Sequence, residues 1–265
     1  MNDKKELGSL SYKREGKEGG EVLLFLHGFC GSAEYFKELI PYLNEEYSVI
    51  TVNLRGHGGS PSAKEAFEID DMARDLFNFI SEQGLESVYM LGHSLGGYVT
   101  LAFAELFPSR LKGFSLIHST AFPDSEEAKE VRLEGINIIE EKGIEPFIDR
   151  LVPNLFSRDS LTKLKEKVED VKEIGYKTSP EGAKGALRAM YGRPDRNRVL
   201  RETQKPVLLV AGERDKVIPQ EKVFSAEGRH IKTAVLPGAG HMGMIEAPEE
   251  LAQNIKEWIK ISSLK

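Results

Sequence analysis

Residues Tyr89-Met90-Leu91-Gly92-His93-Ser94-Leu95-Gly96-Gly97 form an apolar run that stops at Gly-x-Ser-x-Gly and then resumes with helical spacing. Upstream, Ser87 to Leu91 is β-prone; downstream, Leu95, Val99, Ala102, Phe103 and Leu106 recur every three to four residues until Pro108 ends the pattern, which predicts strand, sharp turn and helix in that order. A serine hydroxyl is a poor nucleophile unless it is lifted to a point where a base and two backbone donors converge, and such a turn does this. Gly92 and Gly96 flank it because Cβ atoms there would meet across the turn. A purely structural serine at a helix N-terminus is the competing reading, and it explains nothing else in the chain.

With 265 residues, 40 % apolar and 29 % charged, the chain can bury a sizeable core and has the balance of a folded soluble protein. Its 42 acidic against 36 basic residues give a net charge of −6, which argues against nucleic acid or an anionic membrane surface as partner. Cys30 is the only cysteine, so no intrachain disulfide can form. The charged start, Met1 to Glu6, is not followed by an apolar stretch of signal-peptide length, and a cytoplasmic location is expected. The longest apolar runs, Val22 to Leu26 and Val207 to Ala211, are five residues long; a bilayer needs about 20, so they read as buried strands. Nothing in the sequence specifies an oligomeric state.

Leu10 to Arg14 and Glu21 to Leu26 look like a hairpin joined by the glycine-rich 16–20 turn. A helix is expected over Ala33 to Leu43, a strand over Ser48 to Leu54, and a helix over Ile69 to Ile80. Further strands fall at Leu111 to Ile117, Val207 to Ala211 and Thr233 to Leu236, with a closing helix at Glu249 to Ile261. Apolar strands alternating with amphipathic helices predict an α/β fold, a mainly parallel sheet with helices on both faces. The interval from His118 to Pro206 is too long for one crossover helix. Ala128, Val131 and Ile138, then Leu161, Leu164, Val168 and Val171, mark helices within it. The expected organisation is a core of residues 1–121 and 196–265 with a helical cap insertion over 122–195, roofing the sheet edge where ligands of open parallel sheets bind.

Ser94 as a nucleophile needs an imidazole to take its proton and a carboxylate to hold that imidazole. The order for such a turn is serine, acid, histidine. Leu208 to Asp215 is a buried strand running into a turn that carries Glu213 and Asp215, and either could be the acid. Of six histidines, His241 alone sits on a glycine-rich loop after the last strand. His27 and His57 precede glycines and read as structural, bonding nearby backbone. The His93 side chain should point differently from that of Ser94, His118 should line the pocket, and His230 should be exposed. Two backbone N–H groups, of Leu95 at the helix start and of Phe29 in the His27 to Ser32 loop, are the candidate oxyanion donors. A thiol nucleophile at Cys30 lacks a paired histidine and is set aside.

His27-Gly28-Phe29, Asn53-Leu54-Arg55-Gly56-His57-Gly58-Gly59-Ser60, Gly92 to Gly97, Gly212 with Asp215, and Gly240-His241 together resemble the α/β-hydrolase superfamily, most closely its capped carboxylesterases and enol-lactonases. The resemblance implies the α/β-hydrolase fold, a triad of Ser94, Asp215 and His241 with Asp215 preferred over Glu213, and no metal or organic cofactor. Asn53 departs from the aspartate commoner before Arg-Gly-His-Gly. The expected activity is hydrolysis of a small to medium carboxylic ester by water through an acyl-enzyme. Lactone, thioester or C–C hydrolysis and perhydrolysis are alternatives on the same triad, and a slow-turnover ligand sensor is one of another class, which an exposed apolar patch on the cap would favour. Phe122, Phe156, Met190, Ile218 and Met242 are the candidate pocket walls, with Met244 and Tyr191 besides. Arg188 or Arg193 in that pocket would indicate a carboxylate-bearing substrate.

Overall fold

Seven short strands, β1 (Tyr12–Gly16), β2 (Val22–Leu26), β3 (Ser48–Val52), β4 (Val88–His93), β5 (Leu111–Ile117), β6 (Val207–Gly212) and β7 (Ile231–Leu236), pair in the order β1-β3-β2-β4-β5-β6-β7 in this computed structural model. It describes residues 9–62 and 66–262, so the charged start at Met1 to Glu6 lies outside the described residues. All neighbours are parallel except β1 and β3. Central β4 and β6 are buried at every residue, because helices cover both faces of a parallel sheet and leave no side to solvent.

Helix α1 (Ile69–Glu82) and α2 (Leu95–Leu106) flank β4. Between β5 and β6 lie α3 (Glu126–Lys142), α4 (Ile144–Leu151), α5 (Arg158–Lys163), α6 (Lys165–Tyr176), α7 (Pro180–Tyr191) and α8 (Asn197–Glu202). The single turns α9 (Gln220–Val223) and α10 (Gly243–Glu246) and the closing α11 (Pro248–Ser262) follow. Local chemistry starts and stops these helices. Ser125 Oγ accepts the Ala128 N–H ahead of α3, Ser179 Oγ accepts the Gly182 N–H at α7, and Gly143 ends α3 with φ 85°.

Three expectations need correction. β1 does not form a hairpin with β2; it pairs antiparallel with β3 at the sheet edge, because Gly16 turns the chain at φ 94° and Lys17 N–H bonds the Tyr47 carbonyl. Its side chains are all exposed, and its charges suit an edge. Ala33 to Leu43 is two 3₁₀ turns, Ala33–Phe36 and Ile40–Tyr42, since Pro41 has no N–H to continue a helix. In α3 the buried face is Gly135, Ile136 and Ile139, while Val131 is exposed; packing of Gly135 against Phe147 and Leu187 selects that face.

The 53–60 loop anchors the front of the sheet. Arg55 Nε and Nη2 donate to the two Asp75 carboxylate oxygens at 2.7 Å, and both side chains are buried. Asn53 uses both ends of its amide, accepting from Ala33 N–H at 2.7 Å and donating to Ser11 Oγ at 2.8 Å, which explains an amide where an aspartate is commoner. Gly56, at φ 75°, would put a Cβ 2.6 Å from Gly182 Cα, so this loop meets α7 backbone to backbone. His27 receives the Leu54 N–H on Nε2 and donates Nδ1–H to the Gly28 carbonyl, and His57 donates to the Arg55 carbonyl; both are structural, as expected.

Burial lowers His27 to about 3, with His57 adding to the effect, and burial lowers His57 to about 4. A histidine with a depressed folded pKa binds its proton more readily when unfolded, so stability falls as pH drops from the unfolded value near 6.5 toward those figures. Each is expected to cost on the order of 2 kcal/mol between pH 6.5 and 5. Urea denaturation at the two pH values checks this, and an unchanged midpoint would refute it.

Candidate active site

Ser94 ends β4 and begins α2 at φ 50°, ψ −114°, a left-handed region that L residues avoid. The surroundings over-determine this strain. A Cβ on Gly92 would lie 2.3 Å from the Gly96 carbonyl oxygen, and one on Gly96 would lie 2.4 Å from that of Leu26, so only glycines let β4, α2 and β2 approach this closely. Ser94 N–H bonds the Ile117 carbonyl at 3.0 Å, and Ser119 Oγ donates to the Ser94 carbonyl at 2.7 Å. The side chain is left half-buried, facing a cavity of about 480 Å³.

His241 faces the same cavity from the loop after β7. Its Nδ1 lies 2.8 Å from Asp215 Oδ2, and since a carboxylate only accepts, the imidazole carries its proton on Nδ1 and leaves Nε2 as the basic nitrogen. The backbone of His241 is held on both sides. Its N–H donates to the Leu155 carbonyl at 2.7 Å, and its carbonyl accepts His93 Nε2–H at 2.9 Å. Glu246 accepts the N–H groups of Gly240, Met242 and Ser157, clamping the loop to the segment before α5. His93, through its bond to the His241 carbonyl, also lines the cavity that Ser94 faces.

Asp215 sits just past β6 and collects four donors. Oδ1 accepts the N–H groups of Val217 and Ile218, while Oδ2 accepts from His241 and, at 3.2 Å, from His118 Nδ1. Burial alone would raise this carboxyl, but attraction to His241 and hydrogen bonds from both imidazoles outweigh it and hold it below the usual carboxylate range. Glu213, the other acid on that turn, is exposed and accepts the Gly238 N–H.

His118 departs from its expected place. It does not line the cavity but lies fully buried behind Asp215, where Gly243 N–H donates to its Nε2 at 3.2 Å. It reaches there because the chain turns at φ 49° on leaving β5, a turn that no sequence pattern announces. His230 is half-buried and bonds the Leu200 carbonyl, rather than being exposed. Ligand atoms of His118, Asp215 and His241 lie within 4.8 Å of one another, but these three groups are engaged in the hydrogen bonds just described, which a metal would have to break.

Phe29 lines the cavity, and Leu95 is the first residue of α2. Neither backbone N–H has a partner among the described residues; Phe29 lies in the loop after β2, and Leu95 directly follows Ser94. Phe122, Met190 and Ile218 also line the cavity, whereas Phe156, Met242 and Met244 do not. Phe156 is buried where Gly240 packs on its backbone, and Leu155 reaches the cavity in its place. Met242 and Met244 are buried at 0 % exposure, because the α10 turn directs them inward after His241. Tyr191 is exposed beneath the Lys129 ammonium. Arg188 faces Glu140 on the surface, but Arg193 lines the cavity. Burial pushes the Cys30 thiol far up, which suits a packed residue and not a nucleophile. On α3, Val131 and Leu133 are exposed but two residues apart, so they point to different sides and form no common patch.

A family model described as the alpha/beta hydrolase fold matches residues 21–137. The chain is 30 % identical to a thermophilic esterase from Thermogutta terrifontis, solved with malate bound, over 96 % of this chain and 93 % of that one, with a TM-score of 0.90. It is 26 % identical to a 2-(acetamidomethylene)succinate hydrolase from Mesorhizobium japonicum over 96 % of this chain and 93 % of that protein. It is 29 % identical, over 92 % of its own length, to a dihydrolipoyllysine-residue acetyltransferase component of an acetoin cleaving system from Pseudomonas putida, of which it spans 65 %. Fold, motifs and relatives agree: the chain belongs to the α/β-hydrolase family. No described helix is long and apolar enough to cross a membrane.

The hydrogen-bond partners assign His118 as the neutral Nδ1–H tautomer, and burial lowers its pKa despite the opposing pull of Asp215. Imidazole ¹⁵N NMR is therefore expected to show His118 protonated on Nδ1 alone at neutral pH. A spectrum with the proton on Nε2 would overturn the assignment.

Proposed function

We propose that the chain hydrolyses small to medium carboxylic esters through an acyl-enzyme on Ser94. The observation that carries this reading is the His241 imidazole, held by Asp215 at 2.8 Å with Nε2 left basic, in the same cavity as a hydroxyl on a strained strand-to-helix turn. His241 Nε2 takes the Ser94 proton as Oγ attacks the ester carbonyl, and Asp215 stabilises the imidazolium that forms. The N–H groups of Phe29 and Leu95 hold the oxyanion, where donors already in position give the largest stabilisation. His241 then returns the proton to the leaving alcohol as the C–O bond breaks. In the second half, water loses a proton to His241 as its oxygen attacks the acyl carbon, and His241 returns that proton to Ser94 Oγ as the acyl–Oγ bond breaks and the acid is released.

Residues 122–195 act as a cap in this reading. They supply Phe122, Met190 and Leu155 to the cavity wall, and its volume of about 480 Å³ suits a compact ester. The esterase among the similar structures supports the same reaction class.

Steady-state hydrolysis of p-nitrophenyl esters of increasing acyl length tests the proposal. The native chain is expected to turn over repeatedly, with Ser94→Ala at least about a thousandfold slower. Equal activity of the two proteins would sink the serine mechanism.

A further inference from the structure

Asp124 has 4 % of its side chain exposed and faces two guanidinium groups at the cavity wall. Arg193 Nη1 lies 2.7 Å from Oδ1, and Arg132 Nε lies 3.1 Å from Oδ2. Arg193 is itself only 5 % exposed. It is locked by donation to the carbonyls of Phe122 and Met190 and by stacking 4.0 Å from the Tyr98 ring centroid. Lys222 lines the same cavity with its ammonium 4.9 Å from the Phe122 ring centroid and no carboxylate partner among the described residues.

The wall therefore holds three cations against one carboxylate. Nη2 of Arg193 and both terminal nitrogens of Arg132 have no partner among the described residues. Asp124 neutralises one of the three charges, and the other two, with Arg132 24 % exposed and Lys222 exposed at the cavity mouth, are left for a ligand to meet, which a neutral ester would not do. A surface salt-bridge network explains neither the burial of Arg193 nor its position beside the hydroxyl-bearing cavity. Low-dielectric walls of one sign concentrate a ligand of the other, and planar guanidinium donors match a carboxylate.

We propose that Arg132, Arg193 and Lys222 form an anion subsite, so that the substrate is an ester or lactone that also carries a carboxylate. This rests on the hydrolytic reading of Ser94 for the reaction, but the subsite itself can be tested without turnover.

Two measurements on the intact chain and on an Arg132→Gln, Lys222→Met double variant separate the ideas. Arg193 is left in place to preserve the buried pair. First, pH-stat rates compare monoethyl with diethyl glutarate, which differ by one charge. The native chain is expected to favour the monoester in kcat/KM by at least about tenfold, chiefly through KM, and the variant to lose that preference. Second, calorimetry follows glutarate binding, which is expected to weaken at least about tenfold in the variant. Hydrolysis of both esters with no charge preference, together with no glutarate binding, overturns the subsite while leaving the esterase reading intact. Glutarate binding that depends on Arg132 and Lys222 without hydrolysis of either ester upholds the subsite and removes the esterase reading. Neither binding nor hydrolysis overturns both.

Discussion

The strained backbone at Ser94 is the constraint on which the rest of the molecule depends. A non-glycine residue at φ 50° persists only when its neighbours leave it no alternative, and here β2, β4 and α2 close on it from three sides. The close approaches at Gly92 and Gly96 are backbone contacts, so they require β2 and β4 to be adjacent and in register, as the pairing of Leu26 with Gly92 provides. The central order of the sheet thus does more than bury apolar strands. It maintains a turn that the chain would not adopt by itself.

A second layer of order radiates from Asp215. Its two oxygens are filled by two backbone N–H groups and two imidazoles, which leaves the carboxylate one orientation and His241 one tautomer. The buried histidines cooperate because each has one nitrogen assigned by a group that can only donate or only accept. Leu54 N–H assigns His27, Gly243 N–H assigns His118, and the His241 carbonyl assigns His93. Burial keeps these three rings neutral. Glu246, outside any expected motif, fixes the histidine loop by accepting three N–H groups.

The helical segment between β5 and β6 contributes more than cover. It bonds the His241 N–H through Leu155, packs α7 on Gly56, and brings Arg193 and Arg132 to the wall of the cavity. Its outer faces carry the Lys and Glu pairs of a solvated surface, while its inner face concentrates positive charge around Asp124. The same residue types therefore have opposite meanings according to whether they meet water or a confined space.

Much of this was legible in the amino-acid order alone, because local physics acts through it. Alternating apolar strands and amphipathic helices specified a parallel sheet, and Gly-x-Ser-x-Gly specified the turn, since only glycine tolerates those close approaches. The positions of Asp215 and His241 just past strand ends followed from the same pattern. What the sequence could not disclose depends on which distant groups meet. The edge position of β1, the buried face of α3 and the core positions of Phe156 and Met242 were all decided by tertiary packing. So were His118 behind Asp215 and the Asp124–Arg193 pair. Each arises from contacts between residues far apart in the chain, where burial and hydrogen-bond partners outrank the local preferences that a sequence displays.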